Sequence, residues 1–258
     1  MSQALPRTDF NGSGLIRLLA GLSLVDSAGS RPFSAEELGR WLDVADAIRL
    51  HAAQGAGATI VPAARQWPQP GSGAAAAGEF ARVRATLVEL IVASCSPDGS
   101  GSRIRLPLPK AAVELDDAVA YGPYRRFHLA LQSEMETAIR ALRGGIRRAL
   151  ADSSARLARL AALDEAIERI FAVRERNLLA TSLPALFEKR FQHLLAAHRR
   201  ALSDRGQGDE PGLWRQPGGW LASFRDELRA LLIAELDLRL QPTLGLVEAW
   251  RNEAGRLR

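Results

Sequence analysis

Arg140, Arg143 and Arg147 follow one another at intervals of three and four residues, so on a helix their guanidinium groups lie within about 60° of each other. Each guanidinium presents its N–H donors in a planar fork, and several forks on one face can clamp successive phosphates. Arg125, Arg126, Arg148, Arg156 and Arg159 extend the field, and between Ala120 and Leu160 only Glu134, Glu136 and Asp152 oppose it. The excess there is +5, equal to the net charge of the whole chain, so the basicity is focused on one segment. A field of that sign attracts phosphate backbones, acidic proteins or anionic lipid. These eight arginines are the candidate nucleic-acid-binding residues. A solvated face, neutralised by Glu134, Glu136 and carboxylates of neighbouring helices, has the same pattern, and both readings stay open. Lys189-Arg190 and Arg199-Arg200 are secondary candidates for the same surface.

Other chemistry is poorly supported. A phosphate-binding P-loop needs a lysine directly after a glycine, and neither Lys110 nor Lys189 meets that condition. The glycine pairs Gly55/Gly57, Gly71/Gly73 and Gly99/Gly101 read as loop punctuation, since no strand precedes them. Pro97-Asp98 opens like a nuclease motif, but no acidic-x-Lys follows. His51, His128, His193 and His198 are scattered, and the last two, five residues apart, do not share a helical face as zinc ligands would. They read as surface or helix-packing residues. Cys95, the only cysteine, excludes an internal disulfide and reads as a helix residue rather than an activated thiol. Glu114, Asp116 and Asp117 read as a solvated helix start. Trp214 and Trp220 flank Pro217-Gly218-Gly219; they can stack on bases, but anchoring the loop to a core is the simpler role. The expectation is no enzymatic activity, no metal and no cofactor.

The elements that position these residues follow from apolar spacing. The chain has 258 residues, 47% hydrophobic and 24% charged, which is globular composition, and aromatics are only 6%. No sustained period-two alternation occurs, so the fold class expected is all-α: an irregular multi-helix bundle with long central helices and Gly/Pro-rich loops. A first helix is expected over about 13–25. Phe33-Ser34-Ala35-Glu36-Glu37-Leu38 forms a capping box with a hydrophobic staple, and Trp41, Leu42, Ala45, Ile48 and Ala52 give the next stripe. Residues 1–53 are thus expected as a helical pair, 54–78 as a flexible linker and 79–258 as the main helical domain, continuous with the pair or not. In that domain Met135, Ile139, Leu142, Ile146, Leu150, Leu157 and Leu160 share one arc. Gly144-Gly145 disfavours the helix there by roughly 1.5–2 kcal/mol relative to alanines, so a kink or a close helix approach is expected. Trp220, Phe224, Leu228, Leu231, Leu232, Leu236 and Leu240 form a strong stripe that Pro242 is expected to end or kink. The stretches near 54–78, 96–110 and 204–219 are expected to be mobile. No stretch reaches the roughly 18 apolar residues of a membrane span, and a cytoplasmic protein without membrane insertion is expected.

Several blocks carry a resemblance: Leu15–Ala20, Trp41–Asp43 with Ala47-Ile48, Tyr124-Arg125, Leu129–Gln132, Met135–Thr137, Arg174–Arg176, Leu178–Thr181 and Ala234–Arg239. Through them the chain resembles a proteobacterial family known as domain of unknown function 3348. Members look like genomic neighbours of MotA-like and OmpA-like membrane proteins, an arrangement similar to the Zorya anti-phage defence systems. The resemblance implies an accessory role beside a second cytosolic accessory protein, acting on invading DNA or coupling a membrane motor to an effector. It supplies no catalytic residues. The expected function is a non-enzymatic helical DNA-binding or effector-assembly component of that defence. The alternative is a helical scaffold that binds itself, as a homo-oligomer, or partner proteins without touching nucleic acid.

Overall fold

The computed structural model describes residues 14–24, 44–55, 72–96, 102–107, 120–206 and 208–256, which are helical throughout their long segments and contain no strand. The all-α expectation holds. The helices are α1 (Gly14–Gly21), α2 (Val44–Gly55), α3 (Ser72–Ser94), α4 (Gly122–Ser153), α5 (Ala155–Asn177), α6 (Leu183–Arg205) and α7 (Trp220–Arg256). A π-helical turn, Leu178–Ser182, joins α5 to α6. The capping box at Ser34, the stripe residues Trp41 and Leu42, and the acidic cluster at Glu114, Asp116 and Asp117 lie outside the described residues.

Helix α7 is the spine against which α1, α3, α4, α5 and α6 all pack. Its Phe224, Leu228, Leu231, Leu232, Leu236 and Leu240 are buried, as their helical spacing requires. Fully burying each such side chain stabilises by about 1.5–3 kcal/mol. Helix α7 also runs through Pro242 as one 37-residue element, so the expected end there does not occur. Gln241, Pro242 and Gly245 are exposed while Thr243, Leu246, Val247 and Trp250 are buried. The proline therefore lies on the solvent side of the helix, where the hydrogen bond it removes costs least, and packing holds both flanks.

The largest departure from expectation is at Ser154. The apolar arc suggests helix continuing from α4 past Leu157, yet Ser154 is extended (φ −158°, ψ 156°) and its Oγ accepts from the Leu157 amide at 3.2 Å. A serine N-cap competes well with continued helix, because it satisfies a first-turn N–H. Helix α5 therefore folds back along α4. Gly144-Gly145 stays within the single helix α4, and nothing lies within 4 Å of where a Cβ would sit at either position, so neither glycine serves a close approach.

Of the expected linker, residues 72–78 are instead the first turns of α3, where Ala74 to Ala77 supply helix propensity. In α2 the anticipated stripe fails: Ala45, Ile48 and Ala52 are exposed and Ala53 is the buried residue. Two stretches expected to be mobile are tied down in part. Leu106 N–H donates to the Ser94 carbonyl at 3.1 Å, and the buried Ser94 and Ser102 hydroxyls lie 2.8 Å apart. In the 208–219 segment Trp214 is buried, its Nε1 donates to Asp209 Oδ1 at 2.6 Å, and its carbonyl accepts the Leu221 and Ala222 amides at 3.1 and 3.0 Å. That carbonyl caps α7. A Cβ on Gly219 would meet it at 2.3 Å, which restricts the position to glycine. Trp214 and Trp220 are thus loop anchors, the simpler of their two roles.

Candidate functional site: a charged cleft above a buried histidine–glutamate cluster

Once α5 folds back, the arginine stripe acquires partners that its own segment lacks. Arg143, nearly buried, donates Nε and Nη2 to Asp164 at 2.9 and 2.6 Å, with Nη1 3.5 Å from Glu168. Arg147 donates Nε to Asp164 Oδ2 at 2.6 Å and Nη2 to Glu168. The arginines stand four residues apart on α4 and the carboxylates four apart on α5, so an antiparallel pair sets them face to face. Here the forks clamp carboxylates, the same geometry that would hold phosphate.

The other six arginines divide. Arg140 pairs with Glu136 one turn back, and Arg156 lies 3.4 Å from Glu253 on α7. Arg148 donates only to the Gly144 carbonyl, at 3.4 Å. Arg125, Arg126 and Arg159 are exposed and make no ion pair among the described residues. Arg125 and Arg126 open α4, whereas Arg148, Arg156 and Arg159 surround its far end, about 35 Å away at 1.5 Å per residue. The structure does not gather the eight into one patch. Among the secondary candidates, Arg190 forks onto Glu227 at 2.8 and 2.6 Å, and Lys189 is exposed. His51 and His193 are exposed, and His198 contacts Asp209 at 3.0 Å. No metal-holding group of His, Cys, Asp and Glu occurs among the described residues. Burial pushes the Cys95 thiol up to about 12, which makes it inert near neutral pH.

The arrangement that spacing did not reveal lies two turns along α4. His128 and Gln132 face Glu235 and Arg239 of α7 in the core, and His128 and Glu235 are completely buried. Glu235 lies 3.2 Å from His128 Nε2, accepts from Gln132 Nε2 at 2.9 and 3.0 Å, and accepts from Arg239 Nε and Nη2 at 2.9 and 2.8 Å. Burial alone would raise its carboxyl. The His128 hydrogen bond, the Arg239 charge and Gln132 outweigh that and hold it below the usual carboxylate range.

Pro184 explains why Gln132 is there. In the π-helical turn Leu183 N–H donates to the Leu178 carbonyl, five residues back. The next bond in that pattern would run from residue 184 to Leu179, but proline has no N–H. Gln132 Nε2 donates to the stranded Leu179 carbonyl instead, at 2.8 Å. The Pro184 carbonyl in turn accepts from Tyr121 Oη at 3.0 Å.

Above this cluster a cleft of about 330 Å³ opens between α4, the end of α5 and the π-helical turn. Five arginines (Arg140, Arg143, Arg169, Arg176 and Arg239) and three glutamates (Glu136, Glu168 and Glu175) line it, with Gln132 below and the small Ala172 and Ala180 leaving room. Nothing in the cleft supplies an activated nucleophile. Four of its five guanidinium groups are already engaged by carboxylates: Arg140 by Glu136, Arg143 by Asp164, Arg169 by Glu165 and Arg239 by Glu235.

No helix among the described residues is long and apolar enough to cross a membrane. No curated protein and no solved structure matches the chain. A family model does match, over residues 1–252, nearly the whole sequence, and the chain belongs to that family, described as Protein of unknown function (DUF3348).

Proposed function

We propose that the protein is a non-enzymatic helical assembly component of a bacterial anti-phage defence system, working by binding other proteins of that system. The observation that carries the reading is the commitment of Arg143 and Arg147 to Asp164 and Glu168. Two of the three arginines best spaced for phosphate are crosslinks between helices, so the stripe stiffens a scaffold. The defence context rests on the Zorya-like resemblance of the family. Within it the partners are a second cytosolic accessory protein or the MotA-like and OmpA-like components, met in the cytoplasm.

A DNA-binding reading keeps specific support from Arg125, Arg126, Arg148 and Arg159, none of which is paired with a carboxylate among the described residues. A gel-shift series across salt concentration separates the two. If those four arginines contact phosphates, affinity falls with a log–log slope of about −3.6, and replacing all four with Gln abolishes most of that slope. The assembly reading expects no shift near physiological salt and co-purification with the neighbouring-gene proteins. A steep, arginine-dependent shift without co-purification would overturn it.

A further inference from the structure

We propose that the apolar groove between α3 and α4 is an interface for a second copy of this chain, the two α4 helices packing antiparallel about a two-fold axis at Ala141. The groove has a volume of about 600 Å³ and is built largely from small side chains: Ala75 and Ala76 of α3, and Ala138, Ala141, Gly145 and Ala149 of α4. Among the described residues its lining is apolar except for Glu79, which Arg82 engages. The adjoining crest of α4 is flush too, since Ser133, Thr137 and Ala141 are exposed and short. The distance between packed helices is set by the side chains at the contact, so this face admits another helix closely. It offers little polar recognition to a small molecule. Trp250 forms part of the wall, and its buried Nε1 has no hydrogen-bond partner among the described residues. Gly145 points the same way. A glycine disfavours a helix interior relative to alanine, and within the chain nothing lies within 4 Å of where its Cβ would sit. A helix of a second copy makes use of that space.

Charge selects the occupant and its direction. Glu134 and Arg148 lie two helical turns either side of Ala141, so the three share one face of α4. Arg148 has no carboxylate partner among the described residues and donates only to the Gly144 carbonyl. Glu134 is engaged by Arg103, whose side chain is 84% exposed, and such a pair is weak and readily exchanged. An interface between identical copies must be complementary to itself. A two-fold axis at Ala141 sets Glu134 opposite the partner's Arg148, Arg148 opposite the partner's Glu134, and Thr137 opposite the partner's Gly145. A parallel pairing in register would instead oppose glutamate to glutamate and arginine to arginine. The antiparallel second copy is the occupant whose charges this face matches.

The test is sedimentation equilibrium of the full chain, where a dimer that dissociates on dilution is expected. Glu134→Arg and Arg148→Glu should each weaken it about tenfold or more, because each variant opposes like charges at both ends of the contact. The two together should restore it, which a loss of folding could not do. Cross-linking fixes the register. Only a residue on the axis meets its own copy, so Ala141→Cys should form a covalent dimer under mild oxidation. Thr137→Cys, on the same exposed face, would stand about 12 Å from its counterpart at 1.5 Å per residue and should not. The native Cys95 is buried and stays out of the reaction. A monomer at every concentration would mean that another segment of this chain or a different protein covers the groove, and would overturn the proposal. So would a double charge exchange that fails to restore the dimer, or Thr137→Cys cross-linking as readily as Ala141→Cys. The assembly reading stands or falls separately, through co-purification and the gel shift.

Discussion

Two polar assemblies hang on the same helix, and they differ in how they are protected. Near its far end α4 carries the ladder of Arg143 and Arg147 on Asp164 and Glu168, where Glu168 keeps 32% of its side chain exposed. Near its start it carries His128 and Gln132, locked with Glu235, and both His128 and Glu235 are completely buried. The ladder joins α4 to α5 by charges that solvent still partly screens. The cluster joins α4 to α7 through the buried Glu235 carboxylate, and Gln132 ties it to the π-helical turn at the Leu179 carbonyl. Burial makes the second far less tolerant of change. Substitutions in each assembly rank that difference.

Removing the buried carboxylate has the largest effect. Glu235→Ala strands Arg239, Gln132 and His128 and should cost about 3–5 kcal/mol. At about 2–4 °C per kcal/mol the melting temperature should drop by about 6–20 °C. A pH effect accompanies it. The folded-state carboxyl titrates below its unfolded value, so its stabilisation is present above the unfolded pKa and is lost as pH falls through the folded one. Stability should therefore decline on acidification through and below the usual carboxylate range. Glu235→Gln should flatten that decline, and an unchanged acid limb would show that the cluster does not carry it.

Breaking the ladder comes next. Asp164→Asn weakens the acceptor shared by two guanidinium groups and should cost about 1.5–3 kcal/mol, the range for hydrogen bonds to charged groups. Arg140→Gln, at an exposed pair of the same helix, should cost only about 0.3–0.5 kcal/mol. If thermal melts place the two variants together, the ladder is no stronger than a surface pair.

The sequence displays one of these assemblies more readily than the other. Arginines at i and i+4 on α4, answered by Asp164 and Glu168 at i and i+4, form a visible pattern once a turn is recognised at Ser154. The Asp152-Ser153-Ser154 run, rich in N-cap types, is the available signal for that turn. The charge excess over 120–160 misleads because that window ends just before the compensating carboxylates. The apolar stripes of α4 and α7 are legible, since burial on one face imposes helical spacing. Glu235 and Arg239 sit inside the stripe of α7, and His128 and Gln132 sit inside that of α4, each pair at i and i+4. Polar pairs within two apolar arcs hint at mutual satisfaction in a core, but their separations of 107 and 103 residues hide which helix answers which. Pro242 misleads because proline marks a lost hydrogen bond without saying whether solvent can replace it.

A stabilising substitution tests the backbone inside the ladder. Gly144 sits on α4 between Arg143 and Arg147, has ordinary helical backbone, and has nothing within 4 Å of the place an alanine methyl would take. A glycine in a helix interior is less favourable than alanine by about 0.8–1 kcal/mol, mainly because the unfolded chain has more freedom to lose. Gly144→Ala should therefore raise the melting temperature by about 2–4 °C. It adds no contact to either assembly and leaves the helical backbone of Arg143 unchanged, so the acid limb and the cost of Asp164→Asn should be the same in its presence. Destabilisation by this alanine, or a changed cost for the ladder variant, would mean that the ladder depends on the glycine for its geometry.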